Sequence, residues 1–156
     1  MRSLNIMFFR RPGIRRLFSS LRPAHPPMVA TPDHRDLIRK GDCRLKEGEL
    51  DIALKSYRKA ARIHPSSSAE KKAALVLGMM GRYMEAIGSL DRAAKIDPQD
   101  PEAWIFRGFL FWRLLRWEEA LASFERAIVL RPEDGYPRYY RDIAAEETAK
   151  RRRRRT

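Results

Sequence analysis

The chain has little with which to do covalent chemistry. Its one cysteine, Cys43, excludes an intramolecular disulfide, which suits a reducing compartment. It falls in a small-residue slot of an expected helix and reads as buried filler rather than as a nucleophile. The histidines His25, His34 and His64 are scattered and show no metal-ligand spacing to Cys43. There is no glycine-rich phosphate loop, no paired metal-ligand motif and no G-x-S-x-G elbow. These absences argue for a non-enzyme without cofactor or metal. A long apolar run is missing too. The greasiest stretch, WIFRGFLFWRLLRW at residues 104–117, is interrupted by Arg107, Arg113 and Arg116. It falls short of the roughly 20 apolar residues that a spanning helix needs. As a helix it is apolar nearly all round, so protein, a ligand or both must cover it.

Acid is absent from both ends. Residues 1–32 contain six Arg and no Asp or Glu, and residues 148–156 contain Lys150 and five Arg, again without acid. The net charge of +13 therefore belongs to the tails, since residues 33–147 hold 21 basic and 20 acidic side chains. A domain that reads phosphates through its own surface is basic there, and the middle of this chain is not. Within the basic segment 1–30, IRRLFSSL at residues 14–21 puts Ile14, Leu17, Phe18 and Leu21 on one face. This Arg-rich, acid-free segment resembles a mitochondrial presequence. A disordered basic arm and a membrane-surface helix remain open, as does a start at Met28. The chain is expected in the cytoplasm, or in the mitochondrial matrix if 1–30 is a presequence. The Arg tail 151–156 reads as a solvated run, a nuclear-import signal or a phosphate-binding tail.

What the chain does have is a repeat. ALKSYRKAARIHP ends at Pro65, AIGSLDRAAKIDP at Pro98 and ALASFERAIVLRP at Pro132, with spacings of 33 and 34. Ala53, Ala86 and Ala120 keep step, as do Ala60, Ala93 and Ala127, and Tyr57, Leu90 and Phe124 share a further slot. Gly48 and Gly81 share another, where the third copy has Leu115. The period and these residues resemble the tetratricopeptide repeat family. The third copy, 101–134, carries Trp104, Gly108, Phe111, Ala120, Phe124, Ala127 and Pro132 at repeat positions 4, 8, 11, 20, 24, 27 and 32, with Arg107 where leucine is usual. The second, 67–100, has Glu70 in the tryptophan slot and Ala74 in the glycine slot, and the first spans 34–66.

The resemblance implies an all-α, right-handed α-solenoid of three helix-turn-helix repeats within residues 31–150, closed by a capping helix over 136–150. Helices are expected at 32–46, 50–63, 68–80, 84–96, 101–115, 118–130 and 136–150. Thr31-Pro32 and Asp100-Pro101 read as N-caps with first-turn prolines, and Ser67 with Glu70 as a capping box. Tyr136, Tyr140, Ile143 and Ala144 form the expected inner stripe of the cap.

In this family the first helix of each repeat lines the concave groove through positions 2, 5, 9, 12 and 13. Carried over, these give partner-binding candidates Ile38, Leu75, Met79, Ile105, Phe109, Trp112 and Arg113. Trp104, Gly108 and Phe111 are then covered by the repeat's own packing, while Ile105, Phe109 and Trp112 await a partner, a second copy of the chain, the cap helix or the N-terminal arm. The family's clamp for chaperone C-terminal carboxylates wants Lys, Asn and Arg where this chain has Ile38, Asp42, Lys72, Glu102 and Phe106, so that ligand is not expected. The expected function is a scaffold or adaptor that binds a protein or peptide segment with apolar anchors. The alternative is a nucleic-acid-associated protein using its Arg tails.

Overall fold

The structure, a computed structural model, describes residues 33–154. The segment 1–30, with its presequence reading, and Thr31-Pro32 lie outside the described residues. Among the described residues seven helices follow one another: α1 (His34–Lys46), α2 (Leu50–Ile63), α3 (Ser67–Met79), α4 (Tyr83–Ile96), α5 (Pro101–Arg113), α6 (Trp117–Leu130) and α7 (Gly135–Arg153). No strand occurs among the described residues. Each helix packs against the next, giving the hairpins α1/α2, α3/α4 and α5/α6 with α7 against α6. The result is an all-α solenoid of tetratricopeptide type. The expected bounds hold to within two residues, except that α7 runs on into the arginine run as far as Arg153.

The helix ends follow from local chemistry. After α1, α3 and α5 the chain enters the left-handed region at Gly48 (φ 78°), Gly81 (φ 74°) and Leu115 (φ 57°). Each turn closes with the same two backbone bonds. Gly48 N–H donates to Leu45 O and Glu49 N–H to Arg44 O, and the pattern recurs one and two repeats later. This is the Schellman arrangement, in which glycine escapes the Cβ penalty and leucine does not. Pro65, Pro98 and Pro132 each stand two residues beyond the second helix of their repeat. Asp100 and Asp134 cap α5 and α7 by accepting from Glu102 N–H and Tyr136 N–H. The expected capping box is corrected. Ser66, not Ser67, caps α3 by accepting from Ala69 N–H, and Glu70 turns to Arg92 instead.

Within a repeat, position 8 faces position 24 at close range. A Cβ on Gly41 would stand 2.5 Å from the Tyr57 ring, and one on Gly108 would stand 2.6 Å from the Phe124 ring. The second repeat pairs Ala74 with the slimmer Leu90, and both are fully buried. Glycine and aromatic thus go together, as do alanine and leucine. The two departures from the family pattern also have partners. Glu70, buried in the tryptophan slot, accepts two bonds from the Arg92 guanidinium at 2.8 and 3.0 Å. Arg107, in the leucine slot, donates to Asp91 and to Ser123, each at 2.7 Å, and lies 4.8 Å from the Phe111 ring centroid. Trp104 is only half-buried, its indole N–H donating to Pro98 O at 3.3 Å.

Successive repeats meet through positions 3, 7 and 10. Ala69, Ala73 and Val76 are buried on α3, as are Ala103 and Leu110 on α5 and Pro137 and Ala144 on α7. The matching residues of α1 are Asp36, Lys40 and Cys43, all exposed. Cys43 is therefore not buried filler: no described helix precedes α1 to cover it. The cap stripe is likewise shifted. Pro137, Ala144 and Thr148 are its buried residues, with Tyr140 packed on the core, while Tyr136 is 58% exposed.

Two outcomes are expected. Gly108→Ala overpacks against Phe124 at a cost of about 1–3 kcal/mol, exceeding the helix-propensity gain of up to about 1 kcal/mol. Adding Phe124→Leu, which recreates the second repeat's pairing, should recover part of that loss in denaturant melts, and a strictly additive double variant would contradict the steric account. Leu115→Gly should stabilise the fold by roughly 1 kcal/mol, because the left-handed turn no longer carries a Cβ. An unchanged or lower melting temperature would show that Leu115 makes contacts worth the strain.

Candidate functional site

The first helices α1, α3, α5 and α7 are tied to one another by side chains at or beside the expected groove positions, and the chemistry changes along the row. Between α1 and α3 the tie is ionic: Lys72 Nζ lies 2.6 Å from Asp42, which also accepts from the buried Tyr57 hydroxyl at 2.7 Å. Burial disfavours the Asp42 carboxylate, but the hydrogen bonds from Lys72 and Tyr57 outweigh it and hold its pKa below the usual value. Burial and the same carboxylate push the Tyr57 hydroxyl up. Between α3 and the start of α5 the tie is again ionic, with Lys71 Nζ 2.6 Å from Asp100 and 2.7 Å from Glu102. Burial would lower the Lys71 pKa, yet its two carboxylate partners raise it.

Between α5 and α7 the tie is aromatic. The Phe109 ring meets Tyr140 edge-on at 4.5 Å, Tyr136 at 5.6 Å and Phe124 at 5.4 Å. Trp112 packs edge-on against Trp117 at 6.0 Å and Tyr140 at 5.8 Å. Both residues are half-buried and packed on the main core, so part of the cover of Phe109 and Trp112 comes from the chain's own α7.

The remaining expected residues divide in two. Ile38 is half-buried between α1 and its neighbours, and Ile105 is half-buried on α5. Leu75 and Met79, by contrast, are 42% and 58% exposed and stand one turn apart on α3. Arg113 is exposed at the end of α5, where its guanidinium donates to the Tyr83 hydroxyl at 3.2 Å and lies 5.8 Å from that ring. A depression of about 380 Å3 opens between α3 and α5, lined by Ser68, Lys71, Lys72, Leu75, Glu102 and Phe106. Phe106 in its wall, and the exposed Tyr136 and Tyr139 on α7, were not among the expected residues. The repeat register carried one step further finds the tyrosines, for they occupy positions 2 and 5 of a fourth unit beginning at Gly135. Among the described residues no cluster of three or more metal-ligating side chains occurs, and no helix is long and apolar enough to cross a membrane.

No curated protein matches the chain. Several solved structures share its fold at low sequence identity. The Arabidopsis OM64 TPR domain superposes with a TM-score of 0.67 at 21% identity, over 72% of this chain and 94% of that one. The first TPR domain of Spaghetti (RPAP3), bound to an HSP90 peptide, gives 0.71 at 21% identity, over 75% and 94%. The TPR2B domain of yeast Sti1, in complex with pHsp70, gives 0.65 at 17% identity, over 76% and 97%. Residues 71–135 match the tetratricopeptide repeat family directly. The match falls on the second and third of the repeats seen in the fold, and together with these shared folds it supports a protein of tetratricopeptide repeat type.

Proposed function

We infer that the chain is a non-catalytic scaffold or adaptor, binding a partner segment along the face formed by its first helices. The observation that carries this reading is the pair Leu75 and Met79. Two large apolar side chains are left exposed one turn apart on a helix whose other apolar residues, Ala69, Ala73, Ala74, Val76 and Leu77, are fully packed. Leu75 also borders the depression between α3 and α5. Apolar anchors beside polar, hydrogen-bonding side chains are the usual make-up of a peptide-binding groove. Two of the similar folds described above were solved with peptide or protein partners bound.

The partner differs in chemistry from a chaperone carboxylate tail. At the five clamp positions the one cation is Lys72, and Asp42 already neutralises it. Glu102 adds a negative charge, held by Lys71. A segment with apolar side chains for Leu75, Met79, Ile105 and the tyrosines Tyr136 and Tyr139 fits this surface better, with Arg113 at its edge. The covered rings of Phe109 and Trp112 then act as the floor that fixes α7 and its tyrosines in place.

The test is a pair of variants. Leu75→Glu with Met79→Glu changes exposed residues and should shift stability by no more than about 0.5 kcal/mol per site, while partners recovered by affinity capture with the wild-type chain are lost. Identical captured sets for the two proteins would remove the groove reading. Phe109→Glu should instead cost more than about 2 kcal/mol and free α7, because a charge is forced among packed rings. If that variant melts like wild type, the aromatic floor is open surface.

A further inference from the structure

We propose that the chain carries a second interaction surface, a cationic groove between the second helices of its first two repeats that takes an acidic protein segment. On α2, Lys55 is three and four residues before Arg58 and Lys59, and Arg62 is four and three residues after them, which puts all four on one face. Together with Glu70 and with Arg92 on α4 they line a groove of about 730 Å3. The single carboxylate in the lining is spent, for Glu70 is held by Arg92. Arg58 has a partner outside the lining in Glu85, which Arg82 shares. Lys55, Lys59 and Arg62 have no carboxylate partner among the described residues. The N-terminal 32 residues cannot supply one, since they contain neither Asp nor Glu.

Like charges three and four residues apart destabilise a helix. Here they occur four times on one exposed stripe: Lys55 with Arg58, Lys55 with Lys59, Arg58 with Arg62, and Lys59 with Arg62. Nothing in the packing requires this. The four side chains are exposed, and the core face of α2 is filled by Ala53, Leu54, Tyr57 and Ala60. An uncompensated stripe of one sign, set in a groove, calls for an anion supplied from outside.

The shape and lining favour a protein segment over nucleic acid. No aromatic ring lines the groove, so bases have no platform on which to stack. Ala61 and the aliphatic stems of the lysines and arginines supply apolar wall instead. From Lys55 to Arg62 the stripe rises roughly 10 Å, which matches two turns of a helix or about three residues of an extended segment. Carboxylates repeated along one side of such a segment meet the cations in register.

The experiment uses the full chain and a fluorescein-labelled peptide of about twelve residues alternating Glu and Ala, long enough to cross the stripe. Binding is read by anisotropy at low ionic strength, where exposed charges are least screened. Lys55→Glu, Lys59→Glu, Arg62→Glu should weaken binding by about tenfold or more. Arg58 and Arg92 are left alone because Glu85 and Glu70 depend on them. A control with the same formal charge, Arg151→Glu, Arg152→Glu, Arg154→Glu, should weaken it by less than about twofold. Equal loss in both variants would mean attraction to net charge and would overturn the proposal. So would a single-stranded RNA of equal length that binds more tightly than the peptide and depends on the same stripe, which would make the groove a nucleic-acid site. If the triple variant melts below wild type, Lys55→Gln with Lys59→Gln relieves the like-charge repulsion and should weaken binding without loss of stability. Unchanged binding by that pair would refute the stripe. Leu75→Glu with Met79→Glu should leave peptide binding intact, so this groove and the first-helix face stand or fall separately.

Discussion

The closest approach in each repeat, at position 8 of the first helix against position 24 of the second, governs how the hairpin closes. Helices pack at a separation set by the side chains at their contact. Here that contact is a bare glycine under an aromatic ring, or an alanine under a leucine. Where the ring closes on the glycine, the rest of the first helix is brought down onto the alanines of the second, and Ala53, Ala60, Ala120 and Ala127 all lose contact with water. From that spacing follow the positions of the stacking residues, and from the stacking follows the row of first helices that presents Leu75, Met79, Tyr136 and Tyr139.

The two charged residues that depart from the repeat pattern survive at packed positions because each is answered. Glu70 replaces a ring in the core of the second repeat, and Arg92 reaches it from the outside with two bonds. Arg107 lays its stem where a leucine would sit and gives its guanidinium to Asp91 and Ser123. Such pairs contribute little net stability against a well-packed apolar alternative, but removing one partner alone leaves a desolvated charge. The same logic reaches the groove face, where Asp42 satisfies both Lys72 and the Tyr57 hydroxyl. Two of the three junctions along the row are therefore stitched by charge, and the third, between the last repeat and its cap, is held by rings.

Much of this was legible in the amino-acid order, because it is local and periodic. Proline, glycine and alanine recur at fixed spacing, and each has a backbone reason for its place, so the helices and their register could be placed to within a turn. What escaped was set by partners distant in sequence. Ser67 and Glu70 have capping-box spacing, yet Arg92, 22 residues on, wins the carboxylate. Cys43 holds the slot that is Val76 and Leu110 in the later repeats, but its exposure depends on there being no described helix before α1. Phe109 and Trp112 fall in register on the groove face, and only the placement of Tyr136 and Tyr140 shows how far α7 covers them. The cationic stripe was lost in averaging, because 21 basic and 20 acidic residues over 33–147 say nothing of where the two signs gather.

A chain built of look-alike hairpins runs the risk of pairing the wrong helices while it folds, a failure typical of repeat proteins. The matched residues at positions 8, 9 and 24 give each hairpin its own key. In the first repeat Gly41 admits the Tyr57 ring and Asp42 takes its hydroxyl. In the third, Gly108 admits Phe124 and Phe109 meets it edge-on. Were α5 to close on α2 instead, the tyrosine hydroxyl would be buried against Phe109 with no acceptor there. Were α3 to close on α2 or α6, the methyl of Ala74 would strike a ring, and α1 or α5 closing on α4 would leave a void over Leu90. Each mispairing carries a steric or desolvation cost that the native one lacks, so helices that share a spacing do not share a partner.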